Sequence, residues 1–263
     1  MRIDLPALET KLLREAASYE AFFSAMLTFV ADSQGKTRCG EKTPHTRMIE
    51  TLWQWYPDAN VIHLLRDPRD VVASLQRMPW AANSVIANAG VWLADNLRAF
   101  HWRDHTGYLQ VRYEELVKDP EDQMRRVCAH IGAVYSPAML IPKPDPTADR
   151  PWFQRAEEPV TTGRSGQWSQ QLSSEQVALI EWVVGSQMRT FGYADLEARP
   201  SRLAIVRGLS FTAFDTARRW IGEFPGGWLY LTKSAKIAKE EAAKDRFRFR
   251  HLTDRMEMEM PGH

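Results

Sequence analysis

Asn60-Val61-Ile62-His63-Leu64-Leu65-Arg66-Asp67-Pro68-Arg69-Asp70-Val71-Val72-Ala73-Ser74 is the stretch on which the reading of this chain turns. The apolar run ending at Leu65 predicts a short buried strand. Asp67 is a good N-cap and Pro68 a good first helical residue, so a helix is expected from Pro68 onward. Arg66 then sits at the C-terminal end of the strand, and Ser74 less than two turns into the helix. A strand-to-helix turn gathers free backbone N–H groups at the positive end of a helix, which suits an anion. Arg66 adds a planar fork that fits phosphate oxygens, and Ser74 adds a hydroxyl donor. The same residues also suit a plain helix cap with surface ion pairs, each worth about 0–1 kcal/mol.

Working outward, Leu5 to Ala31 reads as one or two helices, and a short strand is expected near Arg38-Cys39-Gly40. Met48, Ile49, Leu52 and Trp53 mark a helix ending near Tyr56-Pro57. Ser84 to Phe100 reads as a long helix, Tyr108 to Tyr113 as a second strand, and Asp119-Pro120 opens a helix closed by Gly132. A Pro-rich loop begins at Pro142, Gly163 to Trp168 is another loop, and Ser173 caps a helix running to about Phe191. Strands alternating with helices predict an α/β fold, a parallel sheet flanked by helices. Two domains are expected: an α/β domain over 1–199, and a basic, aromatic, mostly helical extension over 200–263. Residues 201–263 hold twelve Lys/Arg against eight Asp/Glu. That extension is expected to pack on its own chain or a sister copy, or to touch a membrane surface.

The totals exclude several classes. The 263 residues, 44% hydrophobic and 25% charged, are ordinary for a globular chain. A formal net charge of +1 gives no basic field, so no nucleic-acid partner is expected. Cys39 and Cys128 are the only cysteines, with no zinc spacing, which suggests a reducing compartment. With no apolar leader at Met1 and no run of eighteen apolar residues, a cytoplasmic chain without a transmembrane segment is expected.

The stretch Leu64 to Ser74 resembles the 3′-phosphate-binding motif of sulfotransferases that use 3′-phosphoadenosine 5′-phosphosulfate (PAPS), and the Arg66/Ser74 spacing of eight matches that family. Two more segments are similar to it. Gly40-Glu41-Lys42-Thr43-Pro44-His45 matches a segment in which a lysine precedes the phosphate motif. Val111-Arg112-Tyr113-Glu114-Glu115-Leu116-Val117-Lys118-Asp119-Pro120 matches a stretch whose tyrosine lies near the nucleotide. The resemblance implies a P-loop-type sulfotransferase fold and transfer of a sulfuryl group from PAPS to a hydroxyl or amine on a small-molecule, carbohydrate or lipid acceptor. It implies Arg66 and Ser74 on the 3′-phosphate and Tyr113 at the adenosine, with Arg164, in the loop Gly163-Arg164-Ser165-Gly166, as a second phosphate arginine. Lys42, placed by the sheet at a strand end adjacent to Arg66, would stabilise the negative charge that develops on the leaving phosphate. His45 or Glu41 would be the general base, although in relatives the histidine falls one residue later. No metal is required. Tyr113 also suits a core position, and Trp80 suits a core position better than an acceptor contact.

The resemblance covers about 40–193 and departs from the family in one respect. The family usually begins with a strand and a loop resembling Gly-x-Pro-Arg-Ser-Gly-Thr that cradles the 5′-phosphosulfate, and nothing like it precedes Glu41. Either the natural chain is longer upstream or half of the donor grip has been lost, so weak or no turnover is expected of residues 1–263. A sheet without that strand also exposes an edge and loses core. A non-catalytic nucleotide-binding or interaction protein derived from a sulfotransferase is the rival reading. No Walker A sequence occurs, which argues against a nucleotide hydrolase or kinase.

Overall fold

The computed structural model describes residues 4–43, 46–142, 163 and 165–223, with side chains through Arg219. They fall into two compact units, the first holding residues 4–43 and the segment from Arg219, the second residues 46–218.

In the first unit, α1 (Leu5–Glu15) and α2 (Tyr19–Ser33) pack on each other. Asp4 and Ser18 cap them, each accepting a backbone N–H three residues on, which satisfies donors that a helix start leaves open. Leu12, Ala16 and Ala25 form a small core with Leu8 and Phe22. The chain then runs irregularly to Thr43, and the strand expected at 38–40 is not formed. Arg38, Cys39 and Gly40 are all exposed, so no burial rewards pairing them into a sheet.

The second unit begins with α3 (Ile49–Trp55), β1 (Val61–Leu65), α4 (Pro68–Leu75), α5 (Val85–His101) and β2 (Tyr108–Arg112). It continues through α6 (Tyr113–Lys118), α7 (Pro120–His130), a 3-10 turn at Pro137–Leu140, α8 (Trp168–Gln171), α9 (Ser174–Val184), α10 (Gln187–Thr190) and α11 (Arg202–Glu223). The strands pair in parallel, Val61 against Tyr108 through Leu65 against Arg112. Parallel strands need a crossover, and α4 and α5 supply it. The result is the expected mixed α/β arrangement, a parallel pair flanked by helices.

One face of the pair is well covered. Leu65 is fully buried among Val72, Trp92, Ile180, Val184, Met188 and Phe191. On the same face, His63 Nε2 donates to Asn96 Oδ1 at 2.9 Å and His63 Nδ1 accepts from the Tyr108 hydroxyl at 2.5 Å. Asn96 donates its amide N–H to the Trp92 carbonyl, which leaves its oxygen to accept and fixes the neutral tautomer of His63. On the other face Ile62 and Leu64 are exposed, and among the described residues β1 pairs with β2 alone. Parallel sheets normally bury both faces; among the described residues this face stays uncovered at Ile62 and Leu64.

Three local readings change. Tyr113 starts α6 instead of ending the strand. The helix capped by Ser173 stops at Val184, because Gly185 turns to φ +58° before α10 begins. Trp80 lies on the surface, not in the core. Most of the expected extension, residues 224–263, lies outside the described residues.

Candidate functional site

The turn from β1 into α4 forms as its sequence dictates. Asp67 caps α4 by accepting the Arg69 N–H at 2.8 Å, and Pro68 fills the first helical position. The Trp92 indole donates to the Arg66 carbonyl at 3.0 Å, tying the end of β1 to α5. The Asp67 N–H is held at 2.9 Å by Glu114 of α6, whose second oxygen accepts from the Tyr193 hydroxyl at 3.0 Å. The expectation of free N–H groups at this turn is therefore corrected at two of them. The Asp67 and Arg69 N–H groups are spent on carboxylates of the same chain.

Two arginines three residues apart have opposite surroundings. The Arg69 guanidinium is sunk against Asp67, at 3.0 and 2.7 Å, and Glu181, at 3.1 Å, with its face over the Trp168 ring. Burial pulls its pKa down, but hydrogen bonds and charges from Asp67 and Glu181 outweigh that and hold it above the ordinary value. Glu181 also accepts the Leu196 N–H, so both of its oxygens are engaged. Arg66 instead turns outward. Its side chain is 26% exposed against 7% for Arg69. Its guanidinium lies 4.4 Å from the centre of the Tyr113 ring and 3.6 Å from Asp70.

Asp70 links this turn to a distant loop. Its carboxylate accepts the Gly166 N–H at 2.8 Å and the Trp168 N–H at 2.9 Å. The Gly163–Trp168 segment, expected to contribute to the phosphate site, is thereby fastened beside Arg66. Arg164 itself lies outside the described residues. Ser74 is half-buried one turn beyond Asp70, on the same side of α4. Tyr113 serves as a shelf under Arg66, between the core and nucleotide-facing readings of it.

At the end of β2, Arg112 lies over the Tyr193 ring at 4.5 Å. Burial and the neighbouring Glu114 push the Tyr193 hydroxyl far above the ordinary phenol range. Gly192, at φ +77°, lets Arg112 pass, since a Cβ there would lie 2.8 Å from the guanidinium.

The lysine segment is placed differently from the expectation. Lys42 and Glu41 are exposed on irregular chain, so Lys42 does not stand at a strand end. The strand that would have carried it is not formed, for want of apolar residues to bury. His45 lies outside the described residues. Sequence reasoning missed Asp70, Glu114 and Glu181. Asp67 and Asp70 have the spacing of a capping box, which would turn Asp70 back onto the Asp67 N–H. Glu114 occupies that donor instead and frees Asp70 for the loop. Among the described residues no group of three or more His, Cys, Asp or Glu is placed to hold a metal ion.

The profile described as the sulfotransferase family matches residues 5–137, just over half of the chain. The chain is a member of the sulfotransferase family.

Among curated relatives it is 26% identical over 183 residues to the omega-hydroxy-beta-dihydromenaquinone-9 sulfotransferases of Mycobacterium bovis and Mycobacterium tuberculosis. That match covers 64% of this chain and 44% of each relative. It is also 26% identical over 127 residues to a putative protein-tyrosine sulfotransferase of Caenorhabditis briggsae, covering 44% of this chain and 45% of the relative. The chain thus spans less than half the length of the curated sulfotransferases it matches. Similar solved structures include a sulfotransferase domain from the curacin biosynthetic pathway, at TM-score 0.48 and 14% identity, covering 72% of this chain and 79% of that one. Another is the sulfotransferase domain of the Synechococcus olefin synthase, at TM-score 0.48 and 23% identity, covering 71% of this chain and 75% of that one.

Proposed function

We propose that this sulfotransferase binds PAPS through the turn after β1 and transfers its sulfuryl group to a hydroxyl or amine acceptor. The supporting observation is the three-part arrangement around Arg66. One arginine faces solvent at a strand end, an aromatic ring lies beneath it, and Asp70 fastens the Gly163–Trp168 loop alongside. In this reading Arg66, Ser74 and Arg164 hold the 3′-phosphate, and Tyr113 lies beside the adenosine. Arg69 takes no part, because its donors are consumed by Asp67 and Glu181.

The acceptor oxygen or nitrogen attacks sulfur in line, and the bond from sulfur to the bridging phosphate oxygen breaks. The products are a sulfate ester or sulfamate, adenosine 3′,5′-bisphosphate and one proton, which His45 or Glu41 removes. Lys42 neutralises charge on the departing oxygen, where a fixed cation acts in the transition state more than in the ground state. The acceptor is a small molecule, a carbohydrate or a lipid. Residues 1–263 contain no Gly-x-Pro-Arg-Ser-Gly-Thr-like loop ahead of Glu41, so they grip the donor by its 3′ end and turn it over slowly.

The test measures release of adenosine 3′,5′-bisphosphate from PAPS in the presence of mixed phenol, sugar and lipid-alcohol acceptors. Slow release that falls about 10²-fold in Lys42→Ala, with donor binding kept, is expected. Firm donor binding with no release under any condition would instead support the non-catalytic nucleotide-binding protein, the reading favoured by the missing 5′ loop.

A further inference from the structure

Helix α11 is apolar on two sides, and only one of them is used. Its inner side is anchored to the second unit. Ala204 is buried, Gly208 meets Ile86 and Leu179, and Thr212 hydrogen-bonds Ser84. Asp215 accepts from the Asn83 backbone and side-chain amides. The outer side stands in solvent: Leu203 is 66% exposed, Val206 59%, Leu209 46%, Phe211 46% and Phe214 65%. At 3.6 residues per turn Leu203, Val206 and Phe214 fall within an arc of about 80°, with Leu209 and Phe211 on either side of it. A row of five large apolar side chains on a rigid helix is more than the scattered exposure of an ordinary surface.

The charges decide what covers it. Among the α11 residues whose side chains are described, 202–219, there are four arginines, Arg202, Arg207, Arg218 and Arg219, and one carboxylate, Asp215, which is buried and ion-paired to Arg218 at 2.9 Å. Over these described residues the exposed side is therefore apolar and cationic, with no exposed acid. A protein partner of ordinary composition does not require that combination, whereas an anionic bilayer surface does, with its apolar interior below a layer of negative headgroups. Among the described residues no helix is long and apolar enough to cross a membrane, so α11 would lie in the interface and not span it.

We infer that the outer face of α11 docks this chain on an anionic lipid bilayer, Leu203, Val206 and Phe214 entering the headgroup boundary and the arginines pairing with lipid phosphates. The inference is independent of the sulfuryl-transfer reading, because its readout uses no nucleotide.

The experiment floats the full 263-residue chain with vesicles of phosphatidylglycerol or of phosphatidylcholine. It compares wild type with the triple variant L203S/V206S/F214S, whose substitutions lie on exposed positions and should leave the thermal melt unchanged. Binding to phosphatidylglycerol that weakens in high salt, falls about tenfold or more in the triple variant and is far weaker on phosphatidylcholine is the expected result. Protein that stays unbound with phosphatidylglycerol, or a triple variant that binds as well as wild type, would overturn it. A concentration-dependent dimer in sedimentation velocity that the triple variant abolishes, without vesicle binding, would assign the face to a second copy instead.

Discussion

The inward and outward sides of the turn after β1 are built from the same kinds of residue and do different work. On the inward side Arg69 hydrogen-bonds Asp67 and Glu181 and so ties α4 to α9. On the outward side Arg66 leans on Tyr113 and Asp70 while keeping solvent access, and Asp70 reaches on to a glycine-containing loop. An arginine that makes three hydrogen bonds to two buried carboxylates inside the fold is a structural element. Arg66, whose side chain keeps partial solvent exposure beside Tyr113 and Asp70, is the arginine proposed to bind.

The sharpest way to break this contrast is Arg69→Met, which keeps the volume and deletes the charge. Asp67 and Glu181 are then left buried without their cation, and a loss of about 3–5 kcal/mol of stability is expected in urea unfolding. A variant near wild-type stability would show that the inward network is not structural. Asp70→Ala comes next, at about 1–3 kcal/mol, because two backbone N–H groups of the loop lose their acceptor. Faster proteolysis confined to the 163–168 loop, with the rest of the chain protected, would confirm that Asp70 is its fastener. Equal cleavage in wild type and variant would contradict it.

The smallest effect is a pH slope. His63 belongs to the covered face of β1, and burial lowers its pKa against the opposing Asn96 hydrogen bond. The unfolded chain, with an imidazole near 6.5, then binds the proton more readily than the folded one. Stability from this site is complete above about pH 6.5 and is lost as pH falls below it. His63→Gln should flatten that part of the melting-temperature profile, and an unchanged slope would remove His63 from the account.

What could be read from sequence follows the range of each interaction. The cap and first turn of α4 are decided by Asp67 and Pro68 alone, and they form as read. The two strands that form are those with apolar runs, while the segment at 38–40 has nothing to bury. Asp70 is opaque in sequence because the two N–H groups that donate to it lie 96 and 98 residues away. Arg69 and Arg66 look alike in sequence, since the carboxylate that separates them, Glu181, is 112 residues downstream. Gly185 sits in an apolar helical rhythm that hides its break. Family motifs reached further than periodicity here. They pointed to Arg66 and to the loop beside it, though not to the residue that joins them.

The most direct test of the central claim is calorimetric titration of adenosine 3′,5′-bisphosphate into the wild-type chain and Arg66→Ala, with adenosine 5′-monophosphate as the ligand lacking the 3′-phosphate. Binding that requires the 3′-phosphate and weakens about 10- to 100-fold in Arg66→Ala, with the thermal melt little changed, is predicted from the loss of charged hydrogen bonds of about 1.5–3 kcal/mol. Equal binding of both nucleotides, or an Arg66→Ala chain that binds as tightly as wild type, would contradict the assignment of the outward side of this turn as the donor site.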